Sequence, residues 1–219
     1  MPIAMRDRRT PHPALPPLDG LDVRIETRAH VMARLQNRSE AEMSRRLAEG
    51  HRAYVASREG RPAAWGWVAT RNAYIGELER TVVVPTAERY LWNFVTQATH
   101  RGLGIYPRLL DAIVGAERSE AERFWIVYAP ENHASGAGIR KAGFTDIAAL
   151  SFDRSGRPAV ADIARGGASL AARFLDVPAV DEVLAQCWRC AKHAAPMSSP
   201  CAEGPCSCDY QRAEVRCAS

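Results

Sequence analysis

The sequence predicts a mixed α/β domain over approximately residues 21 to 153, and three patterns predict it. Some stretches alternate apolar and polar residues with period two, as half-buried strands do. Others place apolar residues at i, i+3 and i+4, as amphipathic helices do. Phe124 to Tyr128 is a short, nearly all-apolar run, as expected of a strand buried on both faces.

Leu21 to Thr27 sets Leu21, Val23 and Ile25 against Asp22, Arg24 and Glu26, which reads as the first strand. Val31 to Leu47 has helical spacing interrupted at Asn37-Arg38-Ser39-Glu40, so two short helices are expected, with Ser39 capping the second. Arg52 to Ser57 and Ala63 to Thr70 read as a hairpin closed by Arg58-Glu59-Gly60-Arg61-Pro62. Leu78 to Val84 and Tyr90 to Thr96 are further strand material around a turn at Pro85 to Glu88. Leu109, Leu110, Ile113 and Val114 then mark a helix opening at Gly104. Glu131 to Ala142 is a second helix, closed by Gly143. Thr145 to Phe152 is a last strand, and Val160 to Ala185 reads as a helical extension covering residues 154–186.

The remaining segments read differently. Residues 1–20 are basic and then rich in proline (Pro11, Pro13, Pro16, Pro17), without the apolar stretch of a secretory signal, so a disordered leader on a cytoplasmic protein is expected. No apolar run approaches the roughly 18 residues of a membrane span. The net charge of +4 is modest and spread along the chain. It does not argue for nucleic acid, and no nucleic-acid partner is expected; it would suit an anionic cofactor.

Chemistry concentrates at His100-Arg101-Gly102-Leu103-Gly104-Ile105-Tyr106. Glycines between a strand and a helix let successive N–H groups point at one anion, and the helix N-terminus adds partial positive charge. The dinucleotide fingerprint fails, because Arg108 stands where its last glycine belongs; the P-loop fails because no Gly-Lys-Ser/Thr follows.

The loop resembles that of the GNAT superfamily of acyl-CoA N-acyltransferases, whose cofactor loop reads Arg/Gln-x-x-Gly-x-Gly/Ala. Arg101 and Gly104 match it, and Tyr106 departs. The second family signature is similar to Asn132, Ser135 and Lys141-Ala142-Gly143-Phe144, about 30 residues further on. Gly104-Ile105-Tyr106-Pro107 resembles a bacterial branch with Gly-Leu/Ile-Tyr-Pro at this point. The resemblance implies an α/β (α+β) fold with a mostly antiparallel central sheet flanked by helices. It also implies transfer of an acetyl or other acyl group from acyl-CoA to a primary amine, small-molecule or peptide, by direct attack in a ternary complex. A homodimer is compatible with it.

By position the resemblance assigns the cofactor to Phe94, Val95, Thr96, Arg101, Gly102, Leu103, Gly104, Ile105, Tyr106 and Asn132. Helix capping accounts for Asn132 almost as well. Many members use a tyrosine seven residues after the asparagine to protonate the departing thiolate; Ile139 stands there. Tyr128 is the substitute candidate, Glu79 (with Glu77) the candidate base, and Asn93 the candidate for orienting substrate or water. The missing acid admits an alternative, a catalytically inactive CoA-binding module. Trp65, Trp67, Trp92 and Trp125 read as core and cleft walls.

All six cysteines lie beyond residue 186, in a segment rich in proline, serine and glycine. Cys187-x-x-Cys190 followed by Cys206 and Cys208 has zinc-like spacing, with His193 and Cys201 as alternative ligands. One structural zinc, disulfides and free reactive thiols all fit this spacing, and the alternative module would make the tail metal- or redox-responsive.

Overall fold

The computed structural model describes residues 1–76 and 78–183. The alternation at Leu21, Val23 and Ile25 becomes a strand, but not the first. Pro2–Asp7 forms β1, and Leu21–Glu26 is β2. Two helices follow, α1 (Ala29–Gln36) and α2 (Glu40–Ala48), with Asn37 in a left-handed conformation (φ 50°) between them. Ser39 caps α2, its hydroxyl accepting from the Glu42 N–H at 3.2 Å. β3 (His51–Arg58) and β4 (Arg61–Ala69) make the expected hairpin. β5 (Asn72–Ile75) and β6 (Arg80–Val83) form a separate two-stranded hairpin. Then come β7 (Glu88–Thr96), a 3-10 turn at Ala98–His100, α3 (Ile105–Glu117) and β8 (Arg123–Val127). The described chain closes with α4 (His133–Lys141), β9 (Thr145–Phe152), β10 (Pro158–Asp162) and α5 (Gly167–Leu175).

Eight strands form one sheet in the order β10-β9-β1-β8-β7-β4-β3-β2. Every neighbouring pair is antiparallel except β7 and β8, which run parallel. Helices α3 and α4 cover one face through Leu109, Leu110, Ile113 and Ile139, packed on Val68, Leu91, Phe124 and Ile126. On the other face α1 and α2 lie over Trp65 and Trp67. Beside them the β5–β6 hairpin and α5 close over Trp125 and Tyr90, with the Phe174 ring stacked on Trp125 at 4.7 Å. No helix among the described residues is long and apolar enough to cross a membrane.

Two segments differ from what the sequence predicts. Residues 1–20 are not a disordered leader: β1 lies between β8 and β9, paired with both. Ile3 and Ala4 are fully buried, and the segment after β1 runs along α3, where the Arg108 guanidinium donates to Pro16 O at 2.6 Å. Of the helical extension predicted over residues 154–186, the described part to residue 183 is instead a strand and a short helix. β10 extends the sheet beside β9, and α5 packs against both. The domain therefore extends well beyond residues 21 to 153 on both sides. Cys187, Cys190, Cys206 and Cys208, with His193 and Cys201, lie outside the described residues.

The buried end of β1 explains how it holds its place. Arg6 is about 1% exposed, and its Nη1 donates to Asp111 Oδ1 on α3 and to Ala142 O at the end of α4, both at 2.7 Å. A buried guanidinium needs such partners, because taking its charge out of water is costly. One side chain thus ties a central strand to the two helices that cover it. Replacing Asp111 by alanine strands the Arg6 charge in the interior. A loss of about 3–5 kcal/mol in urea unfolding is expected, whereas Asp22→Ala, at the exposed ion pair with Arg24, should change stability by less than about 1 kcal/mol.

Candidate functional site

β7 is paired on both sides only in its first half. Glu88 to Leu91 run parallel to Arg123 to Ile126, and the ladder stops there. On the β4 side the register shifts: Trp65 faces Val95 and Trp67 faces Trp92, so Gly66 opposes both Asn93 and Phe94. That is a β-bulge, and it bends the strand that carries it. Asn93 takes the left-handed conformation (φ 54°) that asparagine tolerates better than most residues. Gly66 is required for close approach, since a Cβ there would lie 2.0 Å from the Phe94 ring. The bend and the end of the parallel ladder leave Trp92–Thr96 without a strand partner on the β8 side among the described residues.

The splayed half of β7 leads into the glycine loop. Gly102 (φ 78°) and Gly104 (φ 69°) both have left-handed backbones, and Gly104 is the N-cap of α3. Glycine has no side chain to cap the helix, so the N–H groups of Ile105 and Tyr106 have no side-chain acceptor there. Pro107, in the first turn, has no N–H to satisfy. Arg101, Gly102 and Leu103 are exposed, and Arg101 Nε donates to Thr96 O at 3.3 Å. Arg108 Nη1 donates to Gly104 O at 2.7 Å. Two guanidinium groups therefore flank an uncapped helix N-terminus. In the sequence Arg108 was only a departure from a glycine pattern; its position four residues after Gly104, one helical turn away, was the signal for this contact.

Tyr106 departs from the small residue of the resembled motif, and α4 compensates. Its ring packs against Phe94 at 5.6 Å and fills the space where a Cβ on Gly138 would stand, 2.5 Å from a ring atom. The Tyr106 hydroxyl lies 3.5 Å from Ser135 Oγ. Burial pushes its pKa up to about 12. Asn132 caps α4, its side chain accepting from the Ser135 N–H at 3.0 Å, and so is occupied by the helix it begins. Ile139 is fully buried in the core beneath α3 and faces neither groove.

On the opposite face of β7 lies an open cleft of about 730 Å³. One wall comes from Gln36, Arg38 and Arg46 of the α1–α2 pair, the other from Tyr74 and Gly76 of the β5–β6 hairpin. Trp65 and Trp92 form its floor, and Asn93, Val95 and Val127 line it where β7 and β8 part. The Asn93 amide donates to Gln36 Oε1 at 3.1 Å, which ties the bulge to α1. The Arg46 guanidinium sits 4.8 Å from the Trp92 ring centre and is paired with Glu42 at 2.6 Å. His51 meets Trp92 edge-on at 5.2 Å behind the floor. Its pKa is lowered, chiefly by burial; Glu49 opposes the shift and Arg46 adds to it.

The expected catalytic residues are not gathered together. Asn93 lines the cleft at the splay. Glu79 is exposed in the turn of the β5–β6 hairpin, with φ 52°, and is not part of the lining. Glu77 lies outside the described residues. The Tyr128 hydroxyl donates to Asp146 at 2.9 Å and accepts from Arg140 at 3.1 Å. Burial, and then the Asp146 carboxylate, push the Tyr128 pKa up to about 12. Of the tryptophans, Trp65 and Trp92 are cleft walls as expected, while Trp67 and Trp125 belong to the core. Among the described residues no group of three or more histidine, cysteine or acidic side chains is placed to hold a metal.

No family model matches the sequence, and no curated protein matches it. Solved structures do show similarity. An aminoglycoside 6'-N-acetyltransferase from Acinetobacter haemolyticus is 24% identical over 57% of this chain and 90% of its own, with a TM-score of 0.41. The ribosomal-protein-S18-alanine N-acetyltransferase of Escherichia coli is 17% identical over 60% of this chain and 81% of its own, at 0.45. A GCN5-related N-acetyltransferase from Kribbella flavida is 13% identical over 66% of this chain, at 0.44; the match spans about half, 53%, of that protein.

The depressed pKa of His51 sets a pH dependence. The folded protein protonates this imidazole only at lower pH than the unfolded chain, which does so near the ordinary value of about 6.5. The His51 contribution to stability is therefore complete above about pH 6.5 and is lost as pH falls below it. Urea midpoints measured from pH 8 to pH 5 should decline more steeply in the wild type than in His51→Gln. Equal slopes would remove His51 as the cause.

Proposed function

We propose that this chain is a GNAT-type N-acyltransferase that binds acetyl-CoA or another acyl-CoA and acylates a primary amine. The observation that carries the reading is the parted β7–β8 pair leading directly into the Arg101–Gly104 loop. An extended backbone with free peptide groups suits the amide-bearing pantetheine arm, whose groups can pair with it as a further strand would. The uncapped start of α3, with Arg101 and Arg108 beside it, suits the pyrophosphate. Phe94, Val95 and Thr96 would run beside the arm. Gly102, Leu103, Gly104, Ile105 and Tyr106 would contribute the backbone around the phosphates. Asn132 supports the start of α4 rather than reaching the cofactor directly.

In this reading the thioester carbonyl comes to rest at the parting of β7 and β8, and the amine approaches from the cleft. The nitrogen lone pair attacks the carbonyl carbon, the C–N bond forms and the C–S bond breaks. The thiolate then takes a proton to give free coenzyme A, and the acylated nitrogen gives one up. Positioning the two reactants supplies most of the rate. A thiol of pKa about 8.5 is a fair leaving group near neutrality, so a dedicated acid is worth little here. Tyr128, pushed up to about 12 and with its O–H donating a hydrogen bond to Asp146, is poorly matched to that task, and solvent protonates the thiolate instead. Asn93 orients the incoming amine or a water. Glu79, exposed in the hairpin turn outside the cleft lining, is the carboxylate proposed to draw off the ammonium proton through intervening water.

The reading predicts that acetyl-CoA at about a hundred times its dissociation constant stabilises the protein by about 2.7 kcal/mol, raising the melting temperature by several degrees. Arg101→Glu should abolish most of that shift. Thiol release from acetyl-CoA should appear with some member of an amine panel, and Tyr128→Phe should leave its rate within a few-fold of wild type. No stabilisation by acetyl-CoA, together with no effect of Arg101→Glu, overturns the cofactor assignment. Stabilisation without thiol release from any amine favours the inactive CoA-binding module.

A structural zinc on Cys187, Cys190, Cys206 and Cys208 is a separate proposal resting on sequence spacing. Metal analysis of the reduced protein should find about one zinc per chain, and a value near zero ends it.

A further inference from the structure

The cleft on the α1–α2 side carries an uneven charge. Its lining includes two arginines, Arg38 and Arg46, and among the described residues no carboxylate. Arg46 is already engaged, paired with Glu42 at 2.6 Å and placed over the rings of Trp92 and Trp67 at 4.8 and 5.4 Å. Arg38 is not. It directly follows Asn37, whose left-handed backbone ends α1, and precedes Ser39, which caps α2. The chain geometry on either side therefore holds it at the cleft wall. Its side chain is exposed and enters no salt bridge among the described residues. The remaining surfaces are largely aromatic, with Trp65 and Trp92 below and Tyr74 on the hairpin opposite.

We infer that the acceptor is an amine carrying a carboxylate and an apolar body, of which an aromatic or branched α-amino acid is the simplest member, and that Arg38 binds the carboxylate. The inference rests on the acyl-transfer reading above and names its substrate class. A guanidinium matches a carboxylate with two parallel N–H···O bonds, which fixes orientation as well as adding affinity. With that end held at Arg38, the amine is directed toward Asn93 and Val95, where β7 and β8 part. The apolar body covers the indole rings, and a cleft of about 730 Å³ is of ordinary size for a small molecule. A polycationic acceptor, such as a polyamine or an aminoglycoside, would instead meet an unpaired Arg38 and no described carboxylate. Like charges so placed disfavour the encounter.

The test compares charge while holding shape. Phenylalanine and leucine, their carboxamides, and spermidine are assayed for thiol release with saturating acetyl-CoA. The free acids should exceed their amides in kcat/KM by about 10- to 100-fold, the range for a lost hydrogen bond to a charged group, and spermidine should be the poorest. Arg38→Ala should raise KM for the acids by a similar factor and leave the amides unchanged. Arg38→Lys should fall between, and Arg34→Ala, on the exposed side of α1, should match wild type. Titrating the same probes against tryptophan fluorescence without cofactor reads the cleft directly, because Trp65 and Trp92 line it. If acetyl-CoA fails to stabilise the protein, the acyl-transfer reading falls, while the fluorescence titration still decides whether the cleft selects carboxylates. Equal response to acid and amide, preference for spermidine, or indifference to Arg38→Ala overturns the inference.

Discussion

The contact between Phe94 and Gly66 governs the centre of this molecule. The Phe94 ring occupies the space that any side chain at Gly66 would need, so β4 and β7 approach closely only because one of them carries a glycine there. Accommodating the ring means setting two residues of β7 against one of β4, and Asn93 absorbs the extra length in a left-handed turn. The bulge redirects Trp92–Thr96 away from the line of β8, whose pairing with β7 ends at Leu91 and Ile126. A sheet continuous on every other side thereby gains a seam. Both proposed binding regions open on it: the glycine loop follows the splayed strand on one face, and the aromatic cleft lies against it on the other.

The same ring links the seam to the helices. Phe94 packs on Tyr106, and Tyr106 in turn packs on Gly138 of α4. The small residues Gly136 and Gly138 let α4 come close to Tyr128 and Tyr106, whose rings would clash with a Cβ at either position. A large residue at the start of α3 is thus balanced by missing ones on α4. Packing density is conserved across the pair, which is what a close-packed interior demands. Arg6 completes the clamp from within the sheet by holding Asp111 of α3 and the C-terminal carbonyl of α4. The loop is therefore set on a rigid base although its own residues, Arg101 to Leu103, are exposed.

Charge divides along the seam. Arg101 and Arg108 lie at the start of α3, where a helix dipole already favours anions. Arg38 and Arg46 lie on the cleft side, and only the second is neutralised. At the far end of α3, Glu117 instead accepts from Tyr54, Arg52 and Arg89, and Glu120 pairs with the same two arginines, so the network balances its own charges and anchors the helix to β3 and β7. Each region where a ligand is proposed to bind thus holds a cation without a carboxylate partner among the described residues.

Much of this was legible in the residues because it depends on local chemistry. Period-two alternation made β2 readable, a tight turn between two strand-like runs marked the β3–β4 hairpin, the Ser39 cap divided α1 from α2, and two glycines before an amphipathic run marked the loop and α3. What escaped was decided by partners distant in sequence. Pro2–Asp7 has little strand pattern of its own and carries a charge that Asp111 and the Ala142 carbonyl make tolerable in the interior. β10 and α5 acquire their form by packing on β9 and Trp125. Gly66, Gly138 and Arg38 carry no local signal at all, since a glycine's need for space and an arginine's lack of a counter-charge are properties of what surrounds them. The sequence by itself determined most of the elements from β2 to β9 and the glycine turn that opens α3, because backbone propensity and periodicity act over a few residues. Only the tertiary structure decided the seam, the cleft and its charge, because those arise where segments some 30 to 100 residues apart exclude or neutralise one another.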